Sequence, residues 1–407
     1  MTPSNPLLHQ APRPPLRSLL AGRKVICCVG SGGVGKTTAS AALALRLAVE
    51  GQRVLVLTID PARRLANSLG LSTLGNRELA IDLKPLAAEG VHAKGTLHAM
   101  VLDLKLAWDE LIERDARSPA EAKQILDNRL YQTLSTVLAG SLEYMATERV
   151  AELSKSGRYD VIVLDTPPTT NALDFLDAPD RLLDVLNNDA MRLLLGPLLK
   201  AGRFGLRLFA LPSSIILGTL ARFTGAAFLE DVARFLVAFE GMYGGFKRRA
   251  AEVKNLLSSR ESAFVLVTSA NALTIDEALF FHRTLKESGI ETAAVVVNRV
   301  QRDPRRFGGP EQQGPLAEAL QLTALKDLPG VPAPGEPPLD DGAQPLSARL
   351  ARTLEEQAAL ADLDKREIER LAHALGGVPL YTVPRLRRDV HDLSGLWQVE
   401  QAAEASE

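Results

Sequence analysis

Short apolar runs that end in glycine, proline or an acidic residue alternate along this chain with longer stretches of helical periodicity. Val25-Ile26-Cys27-Cys28-Val29 is too short for a helix and rich in β-branched and small side chains, so it predicts a buried strand. After a glycine-rich break, Ala39 to Glu50 reads as an alanine- and leucine-rich helix stopped by Gly51, and Arg53 to Ile59 as a second buried strand. Strand, helix, strand is a βαβ unit. Leu97 to Asp103 adds a strand-like segment, helical patterns run from Ala107 through Lys155, and Asp160 to Asp165 is the next buried strand. The rhythm resumes with strands at Ala263 to Ser269 and Thr292 to Asn298, separated by the amphipathic helix Thr274 to Ser288. The expected fold class is α/β, a mostly parallel sheet with helices on both faces and a helical insertion.

The insertion is expected where the rhythm breaks. Residues 180 to 258 are rich in leucine and phenylalanine and carry no strand signal, and Val232, Phe235, Leu236, Phe239, Tyr243 and Phe246 recur at helical spacing. They fit the core of a helical insertion, a groove for an apolar partner segment, or both. Residues 302 to 346 are dense in proline and glycine and predict a long surface loop with at most one short helix. Ser347 to Leu375 predicts a helix ended by Gly376-Gly377, and Val378 to Val383 a last short strand or loop. The resulting plan is a flexible segment at 1–20, one domain at 21–401 with a helical subdomain at about 104–155 and 180–258, and a frayed acidic tail at 402–407.

The chemistry concentrates in the break after the first strand. Gly30, four intervening residues, then Gly35-Lys36-Thr37 match the spacing of a Walker A loop. In such a loop backbone N–H groups wrap phosphates, the lysine reaches the β and γ oxygens, and the threonine holds Mg²⁺. Gly30-Ser31-Gly32-Gly33-Val34-Gly35 also satisfies a dinucleotide fingerprint, with Asp60 placed as a ribose acid would be. Lys36-Thr37-Thr38 decides for a nucleoside triphosphate, because a dinucleotide pyrophosphate needs no lysine there. Gly32, Gly33, Val34, Gly35, Lys36, Thr37 and Thr38 are therefore the expected phosphate contacts. Two further strand ends carry acids, Asp60 before Pro61 and Asp165 before Thr166-Pro167-Pro168. Asp165 suits a carboxylate that holds Mg²⁺ through its water shell, and Asp60 suits orientation of the attacking water.

Composition narrows the partners. With 46% hydrophobic and 24% charged residues and a formal charge of -2, nothing in bulk draws the chain to nucleic acid or anionic lipid. The two cysteines, Cys27 and Cys28, are adjacent in a strand, point to opposite faces and cannot form an ordinary bridge, which fits a reducing compartment. The six histidines show no metal-ligand spacing. The longest apolar near-miss, Leu208 to Ala221, is interrupted by Pro212-Ser213-Ser214, so no transmembrane segment and a cytoplasmic location are expected.

Gly-Ser-Gly-Gly-Val-Gly-Lys-Thr-Thr at 30–38, Thr-Ile-Asp-Pro-Ala at 58–62, Asp-Thr-Pro-Pro-Thr at 165–169, Val-Val-Asn at 296–298 and Val-Pro-Leu at 378–380 together resemble the ArsA family. That family contains the arsenite-pump ATPase and the ATPase that targets tail-anchored proteins. The resemblance implies a P-loop NTPase fold and a dimeric Mg²⁺-dependent ATPase with two loops facing each other. It also implies switch segments at 60–65 and 165–171, water activation by Asp60, adenine reading by Asn298, and a base pocket lined by Pro379. The family's usual loop carries a lysine after the first glycine that reaches the partner's phosphates, and Ser31 stands there instead. A homodimer with weakened hydrolysis and a heterodimer with a Lys-bearing paralogue both follow. Cys27 and Cys28 are in the wrong place for a metalloid site, and a zinc-bridging Cys-x-x-Cys is absent from the sequence. Three functions remain: an ATPase that handles membrane-protein or other apolar clients, a spatial-organising switch like the septum-site and plasmid-partition ATPases, and a weakly hydrolysing regulatory subunit.

Overall fold

The computed structural model describes residues 14–59, 64–71, 76–129, 131–132, 135, 141–166, 243–307 and 346–404. The described residues begin with a short helix α1 (Leu16–Leu20), strand β1 (Val25–Val29), helix α2 (Lys36–Val49), strand β2 (Arg53–Thr58) and a short helix α3 (Arg64–Ser68). Strands β3 (Leu79–Ile81) and β4 (Thr96–Val101) follow, then helices α4 (Leu104–Asp115), α5 (Pro119–Leu126) and α6 (Ser141–Lys155). Strand β5 (Val161–Asp165) precedes α7 (Tyr243–Ser258), β6 (Ser262–Ser269), α8 (Ala272–Glu287) and β7 (Thr292–Val300). The chain closes with α9 (Leu346–Leu375), β8 (Leu380–Pro384) and α10 (Leu393–Glu404).

These strands form one sheet in the order β3-β4-β2-β5-β1-β6-β7-β8, parallel throughout except that β3 runs antiparallel to β4. A parallel sheet must be covered on both faces, and the alternation along β1 shows how. Val25, Cys27 and Val29 join a core with α4, α6, α7, α8 and α9, whereas Ile26 and Cys28 join a second core with α1, α2, α3 and α10. Both cysteines are fully buried, each in a different core, and both are free thiols. Because every strand from β4 to β8 runs the same way, their C-terminal ends lie along one edge of the sheet. The glycine loop, Asp165, Ser269 and Asn298 all lie at that edge.

On the first face, Arg249 of α7 pairs with Asp115 at the end of α4 and with Glu148 of α6, and Arg114 also pairs with Glu148. Burial pushes the Glu148 carboxyl above its ordinary pKa despite the two guanidinium groups. The ionic cluster joins three helices that the chain reaches before and after residues 167–242.

Several expectations need correction. Residues 14–20 are not wholly a flexible lead: Leu16 and Leu20 of α1 are buried against the second core. The tail expected from Ala402 is still helix to Glu404, with Ala403 buried, since α10 packs on α2 through Leu396, Trp397 and Val399. Edge strand β3 had no strand signal because only Ile81 of its three residues is buried. Of the expected helical insertion, α7 instead packs Val253 and Leu257 into the core over the sheet, and residues 180–242 lie outside the described residues. Of the expected loop at 302–346, Pro304–Phe307 forms one 3₁₀ turn, and 308–345 also lies outside them.

The α2–α10 contact carries a buried ion pair, Arg46 to Glu400 at 3.0 Å, with the Arg46 guanidinium 5.3 Å from the ring centre of Trp397. Burial, helped by Glu404 and Glu50 and opposed by Arg46, pushes Glu400 up to about 7. The folded chain therefore keeps a proton that the unfolded chain releases at its ordinary pKa of 4.5, so stability should fall as pH rises from 4.5 to about 7. Glu400→Gln should flatten that slope, by at most about 3 kcal/mol over the window, in unfolding experiments run across pH.

Candidate nucleotide site

Where β1 ends, the chain must turn beneath its neighbour β6. A Cβ on Gly30, at φ +147°, would stand 2.0 Å from the carbonyl oxygen of Val267, so no larger residue fits between the two strands. Gly35 closes the loop as the left-handed N-cap of α2, and a Cβ there would stand 2.2 Å from Asn298 Nδ2. Between them, the side chain of Asn298 donates to Val34 O at 2.9 Å, and Arg299 Nη1 donates to Gly33 O at 2.9 Å. In a trans peptide the C=O and the following N–H point in opposite directions, and the described chain has no cis bond. Two carbonyls held outward by β7 therefore turn the N–H groups of Val34 and Gly35 to the other side of the loop. That side, at the N-terminus of α2, is a cradle for an anion.

The buried Lys36 extends back over the loop, donating to Gly30 O at 2.8 Å and Ser31 O at 2.7 Å. Its neighbour Thr37 donates to Asp165 Oδ2 at 2.8 Å, and Thr58 at the end of β2 donates to the same oxygen at 2.8 Å. The register explains the meeting: Asp165 is paired across the sheet with Cys28 on one side and Thr58 on the other, at the strand ends. Thr166 continues the alignment by donating to Cys28 O at 2.8 Å. A hydroxyl and a carboxylate, both oxygen donors beside an anion cradle, form the donor set that Mg²⁺ prefers. The site thus fits that ion without soft ligands. The nearby Cys28 thiol suits none, since burial pushes it up to about 12 and keeps it protonated.

A cavity of about 800 Å³ opens from the loop across the edge of the sheet. It is lined by Gly33, Gly35, Lys36, Thr37 and Thr38 of the loop and the start of α2, and by Asn298, Gln301, Asp364 and Pro384. Asp364, on α9, accepts from the backbone N–H of Gln301 at 2.7 Å and so braces the end of β7. Arg388 and His391 of the loop after β8, and Arg64 and Asn67 of α3, also line the cavity.

The expected phosphate contacts thus run from the loop into the first turn of α2, with Gly32 exposed and the Val34 side chain buried. Asn298 and Asp165 adjoin that loop. Asp60 lies outside the described residues. Pro379 needs correction: it precedes β8 at the far end of the strand, where its carbonyl accepts from Val295, and it does not line the cavity. Pro384, at the strand's other end, does. Proline position within a short strand cannot be settled without its register. Sequence reasoning also missed Arg299, although its place directly after Asn298 at a strand end was a usable signal. It missed the loop after β8, which carries no motif.

A glycine loop between a central parallel strand and a helix, with lysine, threonine and a strand-end aspartate at its mouth, defines a P-loop nucleotide-binding protein. Residues 23–210 match the sequence model of a family described as Anion-transporting ATPase. The chain is similar to an ATPase GET3 of Malassezia globosa, 29% identical over 303 residues, which cover 73% of this chain and 79% of that protein. It is similar to a putative arsenical pump-driving ATPase of Prosthecochloris vibrioformis, 34% identical over 163 residues, covering 39% of this chain and 36% of that one. An ATPase get3 of Aspergillus terreus is 27% identical over 273 residues, covering 67% and 71%. By these matches the chain is similar to the ArsA family of P-loop ATPases.

Gly30→Ala should cost roughly 3 kcal/mol in urea unfolding, since a fixed carbonyl rather than a movable side chain opposes the new methyl. Gly157→Ala, at φ +67° with open space around it, should cost only about 1 kcal/mol and separates backbone handedness from collision.

Proposed function

We propose that the protein is a Mg²⁺-dependent ATPase whose hydrolysis drives a change in the helical part of the chain that handles apolar clients. The observation that carries the catalytic half is the Thr37–Asp165 pair, 2.8 Å apart at the mouth of the loop beside the buried Lys36. In this reading the N–H groups of the loop bind the β-phosphate and Lys36 meets the β and γ oxygens. Thr37 and Asp165 would hold Mg²⁺, which when bound would neutralise charge on the transferred phosphoryl group. Thr58 keeps the Asp165 carboxylate oriented, because its hydroxyl donates to the oxygen that Thr37 also uses. Asp60 orients the attacking water, Asn298 reads the base, and the base pocket is lined by Pro384 rather than Pro379.

The client half rests on the family and on the apolar composition of residues 180–258. Two loops would face each other in a dimer. Ser31 is buried against its own chain and carries no charge toward a second one, which supports weak turnover in a homodimer and greater activity beside a Lys-bearing partner chain.

Steady-state phosphate release tests the first half. Wild-type protein should hydrolyse ATP only with Mg²⁺, and Asp165→Asn should lower kcat at least about a hundredfold while the fold persists by circular dichroism. Ser31→Lys should raise turnover of the purified chain, and unchanged turnover would remove the assignment to Ser31. The client half is tested by aggregation of an isolated transmembrane-type helix. Light scattering should be suppressed by the protein with ATP or a transition-state analogue and not by Asp165→Asn; equal scattering in all samples would end that half.

A further inference from the structure

Arg299 is the only non-glycine residue with a positive φ among the described residues, at +59°. A left-handed backbone costs an arginine about 1 kcal/mol, so something must hold it there. Its own N–H donates to Asn298 Oδ1 at 2.9 Å, which fixes the turn, and the turn throws the side chain back over the loop. There Nη1 donates to Gly33 O at 2.9 Å, while the side chain stays exposed and lines the cavity. The neighbouring Asn298 side chain grips the next carbonyl, Val34 O.

The carbonyl partner decides what the guanidinium can do. The N–H groups that cradle phosphate face the opposite side of the Gly33–Val34 and Val34–Gly35 peptides, so a cation parked on Gly33 O stands outside the cradle. Arg299 lines the same cavity as Asn298, Gln301 and Pro384. A planar, weakly hydrated cation fixed beside a nucleotide cavity is suited to lie against an aromatic ring. Lysine, a compact point charge, would do so less well.

We propose that Arg299 is a nucleotide-binding residue that forms the platform for the base, its guanidinium face stacked on the purine and its edge tied to Gly33 O. The inference rests on the nucleotide reading given above, and it adds a stacking surface to the hydrogen-bond reading of Asn298. It predicts that Arg299 contributes to affinity through the base and not through the phosphates.

Titration calorimetry with MgATP and with magnesium tripolyphosphate, which has the phosphates and no base, separates these contributions. Arg299→Gln should weaken MgATP binding about tenfold and leave tripolyphosphate binding unchanged, and Arg299→Lys should fall between. An equal loss for both ligands would make Arg299 a phosphate contact and overturn the proposal, as would unchanged MgATP binding. Should Arg299→Gln fail to fold by circular dichroism, Arg299→Lys decides on the same comparison. Failure of the wild-type chain to bind either ligand would instead overturn the nucleotide reading itself.

Discussion

The loop leaves β1 under a carbonyl that tolerates nothing larger than a hydrogen atom, and the remaining geometry of the site follows from that close approach. With Gly30 pressed to Val267 of β6, the loop is fixed against the sheet on one side. Asn298 and Arg299 hold it on the other by two successive carbonyls. A peptide whose C=O is held must present its N–H opposite. The loop's N–H groups are thus oriented by hydrogen bonds made on its back, which leaves less of that ordering to be done when an anion binds.

The parallel sheet does the rest of the positioning. Adjacent placement of β1, β5 and β2 aligns Cys28, Asp165 and Thr58, so Asp165 emerges beside Thr37 although 128 residues separate them. Buried in this way, the carboxylate shares one oxygen between two hydroxyl donors, and its orientation does not depend on a long flexible side chain. The same sheet separates the two cysteines into different cores, where both are buried packing residues.

The two faces of the sheet are held differently. Helix α2, which begins at the loop, is clamped by α10 through apolar contacts and the Arg46–Glu400 pair. On the other face Arg249 joins α7 to α4 and α6. A buried charge cluster adds little net stability over an apolar one, but it loses heavily when one partner is displaced. It therefore suits a place where three helices must keep one arrangement.

Local signals determined much of this protein. The strand of five residues, the four-residue spacing from Gly30 to Gly35, Lys36, Thr37 and the acids at strand ends are short-range features, and they sufficed for the sheet class, the glycine loop and the resemblance to the ArsA family. Tertiary structure decided whatever depends on register or distant packing. β3 and α10 escaped notice because neighbours, rather than their own periodicity, bury Ile81 and Ala403. Pro379 and Pro384 differ only in which end of β8 they occupy, and only pairing with β7 shows which one meets the cavity. Arg299 is legible as a residue following Asn298, but its left-handed turn onto Gly33 arises from a loop 266 residues earlier in the chain. Periodicity along a chain says which elements form; which atoms meet at their ends is set by the order in which the strands pair.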